Sequence, residues 1–251
     1  MNEITDLCTA IACSSHSLSC LGFLNHEDHQ YCVYPVIKQQ ASRDTPETVT
    51  LESLLMRSAP DQPWTPRIVL SRQERYFIAL TLASSLLQLH ATPWLATQWS
   101  KKDILFLRNG SDSIIADQPY VSPLPFSQSP TYHDTSKSIS ALGIMLLELC
   151  FGIALEDHDI RRSFLGADGQ PNPALDLVAA KEWCERYAEG EAGQDFADAI
   201  GWCLRNKTGR KSTDVRDEGW KDALFTEVVK PLQHCHDLMT VKSTAWLQNR
   251  G

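Results

Sequence analysis

Positive charge is scarce in this sequence: 23 Lys and Arg stand against 31 Asp and Glu, a formal net charge of -8. Nucleic-acid surfaces depend on basic stripes that release counterions, so this balance argues against such a partner. Long apolar runs are missing too, and nothing approaches the ~20 residues of a membrane-spanning helix. The opening Met1-Asn-Glu-Ile-Thr-Asp6 carries acids where a secretory leader carries positive charge, so a cytoplasmic location is expected, with the nucleus not excluded. There is no pair of C-x-x-C knuckles, which removes the usual structural zinc site. The eight cysteines (Cys8, Cys13, Cys20, Cys32, Cys150, Cys184, Cys203, Cys235) lie scattered, mostly inside apolar stretches, and read as small buried hydrophobes of a reducing compartment. Cys13, His16, His26 and His29 can be drawn as a metal site, as can His234-Cys235-His236, but adjacent side chains seldom converge on one ion. Internal repeats and low-complexity tracts are absent.

What is present is a chain of 251 residues, 43% of them hydrophobic, enough for one ordinary domain or two small ones. Its first third is broken. Residues 2–12 suggest a short helix, and Leu18–Leu24 and Tyr31–Val36 flank a polar turn at Asn25–His29, which reads as a β-hairpin. Pro35 ends the second strand or sits on its edge. Residues 39–50 and 58–70 read as loops around a short helix at Leu51–Met56. From Ser71 the pattern turns helical. Ser71 and Glu74 make an S-x-x-E capping box, and the apolar residues behind them cover so much of the circumference that this helix must be buried. A second such helix runs from about Ser138 to Phe151 and stops at Gly152. Weaker helical patterns follow at about 175–189, 193–205 and 217–238, and the residues from 239 to 251 read as a frayed tail. Between the buried helices, Asp103–Leu107, a turn at Asn109-Gly110 and Ser113–Asp117 read as a second hairpin, an insert placed to carry a site.

The order of these pieces resembles the lower lobe of a protein kinase. Leu86-Leu-Gln-Leu-His90 is similar to the end of the helix before the catalytic loop, Asp103-Ile-Leu-Phe to the N-I-L-L that closes that loop, and Ile115-Ala-Asp117 to the start of the metal-binding D-F-G. Ser138–Gly152 is similar to the central D-V-Y-S-L-G helix, and Cys203–Thr213 to the C-L-x-x-D-P-x-x-R-P-T stretch. Upstream, Leu21-Gly-Phe, Cys32-Val-Tyr34 and Leu51-Glu-Ser-Leu-Leu55 resemble the strands and hinge between the lobes, which makes Val33, Tyr34 and Val36 the hinge candidates. Six matches in the right order cover roughly residues 18–215. More narrowly, Thr92-Pro-Trp-Leu95 with Trp99, Lys102, Asp103 and Ile104 resembles a fungal kinase-like family of unknown function, whose members often accompany helical domains of the prion-inhibition type. The implied fold is α+β and mainly α: a kinase-like lower lobe over residues 71–238, and a reduced hairpin region over 1–70 in place of a full upper lobe.

The departures from the kinase pattern bear on function. Phosphoryl transfer needs a base for the hydroxyl, a lysine on the phosphates and ligands for magnesium. In the H-R-D-x-x-x-x-N spacing the catalytic aspartate falls at Gln98 and the following lysine at Ser100, so both positions are degenerate. Gln118-Pro119 replace the Phe-Gly after the metal aspartate, and Ser138 replaces the aspartate that braces the loop. Ser129-Pro-Thr131 stands at A-P-E without its glutamate, whose arginine partner aligns with Lys211 or Arg210. About 30 residues precede Cys32, too few for a glycine loop, a lysine strand and a helix. A register with Val36-Ile-Lys38 as V-A-I-K and Glu52 as partner leaves too little chain before Ser71.

Two carboxylates survive at metal-ligand positions, Asp103 and Asp117; they either retain a Mg²⁺ or Mg-ATP site or merely cap a turn and close a hairpin, and the second reading implies no cofactor. Trp94 and Trp99 either plug a core or form an exposed recognition patch. The Arg205–Arg216 charge run reads as a solvated face. The expectation is therefore an inactive kinase-like scaffold that binds protein, a separate partner or an upstream helical domain, over an apolar flank around Tyr31–Val36, Trp94 and Trp99. The alternatives are a divergent Mg²⁺-dependent phosphotransferase using Asp103 and Asp117, and a truncated product without independent function.

Overall fold

In the computed structural model, β1 (Gly22–His26) and β2 (His29–Val33) form the first hairpin, in antiparallel register from Gly22↔Val33 to His26↔His29. The structure describes residues 3–6, 20–26, 29–33, 47–56, 68–90, 92, 95, 99–109, 113–122, 134–164, 172–205 and 219–240, with 241–248 as backbone. The chain divides into two compact units, Met1–Thr45 and Pro46–Gly251. In the smaller unit, residues 3–6 do not begin the expected helix. Glu3 bridges Phe23 in parallel, Ile4 N–H donates to Phe23 O at 2.8 Å, and Asn25 Nδ2 donates to Glu3 Oε1 at 2.8 Å. The outer edge of β1 offers backbone groups that need partners, and that demand outweighs a weak local helical preference. Residues 7–12 lie outside the described residues.

The larger unit starts with β3 (Thr48–Thr50), where the sequence suggests only loop. β3 pairs with β4 (Ile104–Leu107), and β4 with β5 (Tyr120–Val121), giving an antiparallel sheet of order β3-β4-β5. Thr48-Val-Thr50 is β-branched throughout, which suits a short strand at a sheet edge. This pairing places β3 and the following α1 (Leu51–Leu55) with the larger unit, so the division falls at 45/46 rather than at 70. The expected second hairpin survives only near its tip, where Arg108 bridges Ile114 and Ile115 N–H donates to Leu107 O at 2.9 Å. Arg108 faces Ile114 but Leu105 faces Tyr120, so two residues of β4 stand opposite five on the returning chain. The surplus is looped out of the ladder as a large bulge, and it contains Asp117.

Two buried helices run through the centre. α2 (Arg72–Leu89) begins with the capping box: Ser71 Oγ accepts from Glu74 N–H at 3.2 Å, and Glu74 Oε2 accepts from Ser71 N–H at 2.7 Å. α3 (Thr135–Phe151) begins at Asp134, whose carboxylate accepts from Lys137 N–H at 3.2 Å. It ends at Gly152 in the left-handed conformation, φ 70°. Arg75 Nη1 of α2 closes that end by donating to the carbonyls of Leu149 at 2.9 Å and Cys150 at 2.6 Å. A 3₁₀ turn (Leu155–Asp157) and α4 (Asp159–Arg162) lead to α5 (Pro173–Trp183), α6 (Glu189–Ala192) and α7 (Gln194–Arg205). α7 packs on α3 and α2, with Phe196 against Tyr76 at 4.6 Å between ring centroids. Trp183 is sandwiched between Phe151 at 4.7 Å and His158 at 4.1 Å.

Two stretches are π-helical. Cys184–Ala188 joins α5 to α6, and Phe225–Val229 joins α8 (Gly219–Leu224) to α9 (Lys230–Gln248). α9 continues through residues read as a frayed tail, as helical backbone to Gln248. The fold is α+β and mainly helical. Among the described residues no helix is long and apolar enough to cross a membrane.

Candidate functional site

The segment between α2 and β4 holds the residues that the kinase spacing singles out. Its described part is a strap, Trp99–Asp103, and it is turned inward. Trp99 is 2% exposed, and its indole Nε1 donates to the backbone carbonyl of Ser138 in α3 at 3.3 Å. The tryptophan is therefore part of the core, as the plug reading has it, and does not belong to the expected exposed flank. A flat apolar ring fills the space beside α3, and its single N–H finds an acceptor there. Tyr31 of that patch is 55% exposed in the smaller unit. Trp94, Gln98, the hinge candidates Tyr34 and Val36, Ser129–Thr131 and residues 206–216 of the charge run lie outside the described residues. The third hinge candidate, Val33, ends β2 half-buried, and its carbonyl accepts from Leu21 N–H at 2.8 Å.

Ser100 and Asp103 satisfy each other. Asp103 Oδ2 accepts from the Ser100 N–H at 2.8 Å and from its hydroxyl at 3.0 Å, while Asp103 N–H returns to Ser100 O at 3.0 Å. This is the side-chain turn that an aspartate three residues after a serine favours. Asp103 O accepts from Ser122 N–H at 2.8 Å, which ties the strap to the strand β5.

Asp117 sits elsewhere. It is exposed on the looped-out bulge and lines an open pocket of about 210 Å³ with Gln73, Glu74, Phe77, Ala116 and His236. Asp103 does not line that pocket. Among the described residues no three His, Cys, Asp or Glu side chains converge as a metal site. Asp103 spends one carboxylate oxygen on two hydrogen bonds, whereas Asp117 borders the open pocket. His26 and His29 face each other at the hairpin end, and His234 Nδ1 lies 2.7 Å from Asp195 Oδ2. Burial pushes the thiols of Cys184 and Cys235 up to about 11 and that of Cys150 to about 12, and raises Cys203 as well. These four are inert as nucleophiles.

The strap's strongest chemistry lies in a residue that the sequence reading passes over. Lys101 is 8% exposed, and its ammonium lies 2.5 Å from Glu148 Oε1 and 2.5 Å from Glu156 Oε2. Glu148, in α3, is 0% exposed. Its Oε1 also accepts from Leu155 N–H at 2.7 Å, while its Oε2 is buried without a hydrogen-bond partner. Burial pushes the Glu148 carboxyl up to about 7, against the pull of Lys101 and the Leu155 N–H. Burial likewise opposes the charge on Lys101, but its two carboxylates outweigh it and hold the ammonium above the usual lysine value. For Glu156, too, burial opposes ionisation, and the hydrogen bond from Lys101 prevails and lowers it. Below neutral pH the balance favours a protonated Glu148 beside a charged Lys101 and Glu156. One signal was legible in advance: a single glutamate inside Leu146-Leu-Glu-Leu-Cys-Phe151 demands a buried partner.

The backbone adds to these anchors. Glu52 N–H donates to Lys101 O at 3.1 Å, and Ala154 N–H to Leu55 O at 3.1 Å, so α1, the strap and the end of α3 are knitted together. The site is thus a set of polar groups tied to one another inside a helical core, with Glu148 Oε2 the buried oxygen of the cluster left without a partner among the described residues. No curated protein matches the chain. The family described as a domain of unknown function, DUF7580, matches residues 1–236, and the chain belongs to it.

Proposed function

We propose that this protein is a catalytically inactive, kinase-like scaffold that works as a protein-interaction or regulatory module. The reading is carried by the inward turn of the strap that aligns with a kinase catalytic loop. Trp99 is in the core, Lys101 is consumed by two carboxylates, and Ser100 and Asp103 are spent on each other. Phosphoryl transfer needs the positions of Ser100 and Asp103 aimed at phosphates and metal, and here they are aimed at each other. The order of elements supports the kinase-like part of the reading: a short strand and helix (β3, α1), a long capped helix (α2), strands β4 and β5, and a buried central helix ending in glycine (α3). Its partner is a protein, and the resemblance favours a helical domain.

The test is transfer from radiolabelled ATP in the presence of Mg²⁺, to the chain itself and to generic protein substrates. We expect no label above background, for the parent and for Asp117→Asn alike. Label that disappears in Asp117→Asn would overturn the inactive reading and favour a Mg²⁺-dependent phosphotransferase acting from the exposed bulge.

A further inference from the structure

We propose that Lys101, Glu148 and Glu156 form a proton-operated latch: a proton held on Glu148 keeps the buried cluster neutral, and its loss to solvent loosens the strap from the end of α3. One ammonium faces two carboxylates, so full ionisation leaves a net negative charge in a place where Glu148 is 0% exposed. An uncompensated buried ion costs several kcal/mol even after relaxation. Glu148 Oε1 has two donors, but Oε2 has neither a donor nor access to solvent, so an anionic oxygen there is unsupported. Glu156 is the more exposed carboxylate, at 39% of its side chain, and keeps its charge at lower cost.

Among the described residues the surroundings offer no second cation. Arg161 of α4 reaches the cluster only through Glu156 and is itself held by Asp176 of α5 at 2.7 Å. Arg75 of α2 spends its Nη1 on the carbonyls of Leu149 and Cys150. Lys102 of the strap lies 3.6 Å from Glu52 of α1. The buried positions of α5 and α7, which pack on α3, are uncharged. A proton is therefore the remaining neutraliser. On its loss the cluster must admit water or part, and the groups that move are those it joins: the strap, the last turn of α3 and the 3₁₀ turn.

The sign follows from linkage. The folded carboxyl, near 7, lies above the ordinary glutamate value of 4.5. Its favourable contribution is therefore complete below the unfolded value and is lost as pH rises through 7. Glu156, lowered rather than raised, is mostly ionised in both states across pH 5–8 and adds little slope there, of the opposite sign.

The experiment is a carbon-13 NMR titration of the full chain labelled at glutamate side-chain carboxyls, with urea unfolding at pH 5 and pH 8. We expect one carboxyl to titrate near neutrality, to move toward acid in Glu156→Gln, where Lys101 serves Glu148 alone, and to vanish in Glu148→Gln. The parent's folding constant should fall between pH 5 and pH 8, relative to Glu148→Gln, on the order of fifty-fold. Should Glu148→Gln not fold, the parent and Glu156→Gln decide the matter, because Glu156 is half-exposed. If every glutamate titrates within about one unit of its usual value, or the neutral signal stays fixed in Glu156→Gln, the latch is overturned.

Discussion

Gly143 and Gly190 are both helical glycines in opposite circumstances. A Cβ on Gly143 would lie 2.8 Å from Cys203 Cβ and 2.9 Å from Leu204 Cδ2, because α3 and α7 meet there almost backbone to backbone. A Cβ on Gly190 would meet nothing within 4 Å. Replacing glycine by alanine inside a helix gains roughly 0.5–1 kcal/mol, whereas forcing a carbon into a packed core costs about 1–3 kcal/mol. The packing cost therefore wins at Gly143 and is absent at Gly190. Gly190→Ala should raise the urea midpoint by an amount equivalent to about 0.5–1 kcal/mol, and Gly143→Ala should lower it by at least about as much. Equal shifts in the two variants would mean that α3 and α7 are not in close contact. The same scale shows where sequence reading stops. Glu148 looks out of place in an apolar helix, but its partners are Lys101, 47 residues upstream on the strap, and the Leu155 N–H, 7 residues onward in the 3₁₀ turn, and only the fold brings Lys101 to it. Trp99 can plug a core or form a patch by composition, with the plug the commoner role, and the depth of the strap decides for the plug.

At the scale of elements, both long helices were legible because their capping chemistry is local. The Ser71–Glu74 box and the Gly152 stop are read off neighbouring residues and stand where the sequence puts them. What closes the end of α3 is not local: Arg75 comes from the first turn of α2 to meet the carbonyls of Leu149 and Cys150. Hydrogen bonds from a charged donor contribute about 1.5–3 kcal/mol, so Arg75→Met should destabilise by roughly that amount, seen as a lower melting temperature. A melting temperature equal to the parent's would show that the cap is idle. The helical patterns at about 175–189 and 217–238 are weak in the sequence for a physical reason. Each crosses a π-helical turn, Cys184–Ala188 or Phe225–Val229, and a turn wound wider than 3.6 residues shifts the phase of the apolar stripe. The short strand β3 escaped notice because three residues carry too little periodicity, and β4, its partner, is more than fifty residues away.

At the scale of the whole molecule, among the described residues, the buried apolar cluster of the larger unit runs from Leu51 to Cys235. The smaller unit contributes a two-stranded hairpin with one bridge to Glu3, and a lone hairpin is marginal in water. A fragment spanning 46–251 should therefore fold by itself, with a cooperative thermal transition close to that of the full chain by circular dichroism. A fragment without cooperative melting would show that the hairpin unit supplies stability the larger unit lacks. The division at Thr45/Pro46 also bears on how such a chain can change over generations. Substitutions in the leading segment are screened by whatever that segment touches, and those in the remainder are screened by foldability. Where the larger unit folds by itself, the two parts can drift at different rates, and the leading part can be exchanged while the helical body is kept.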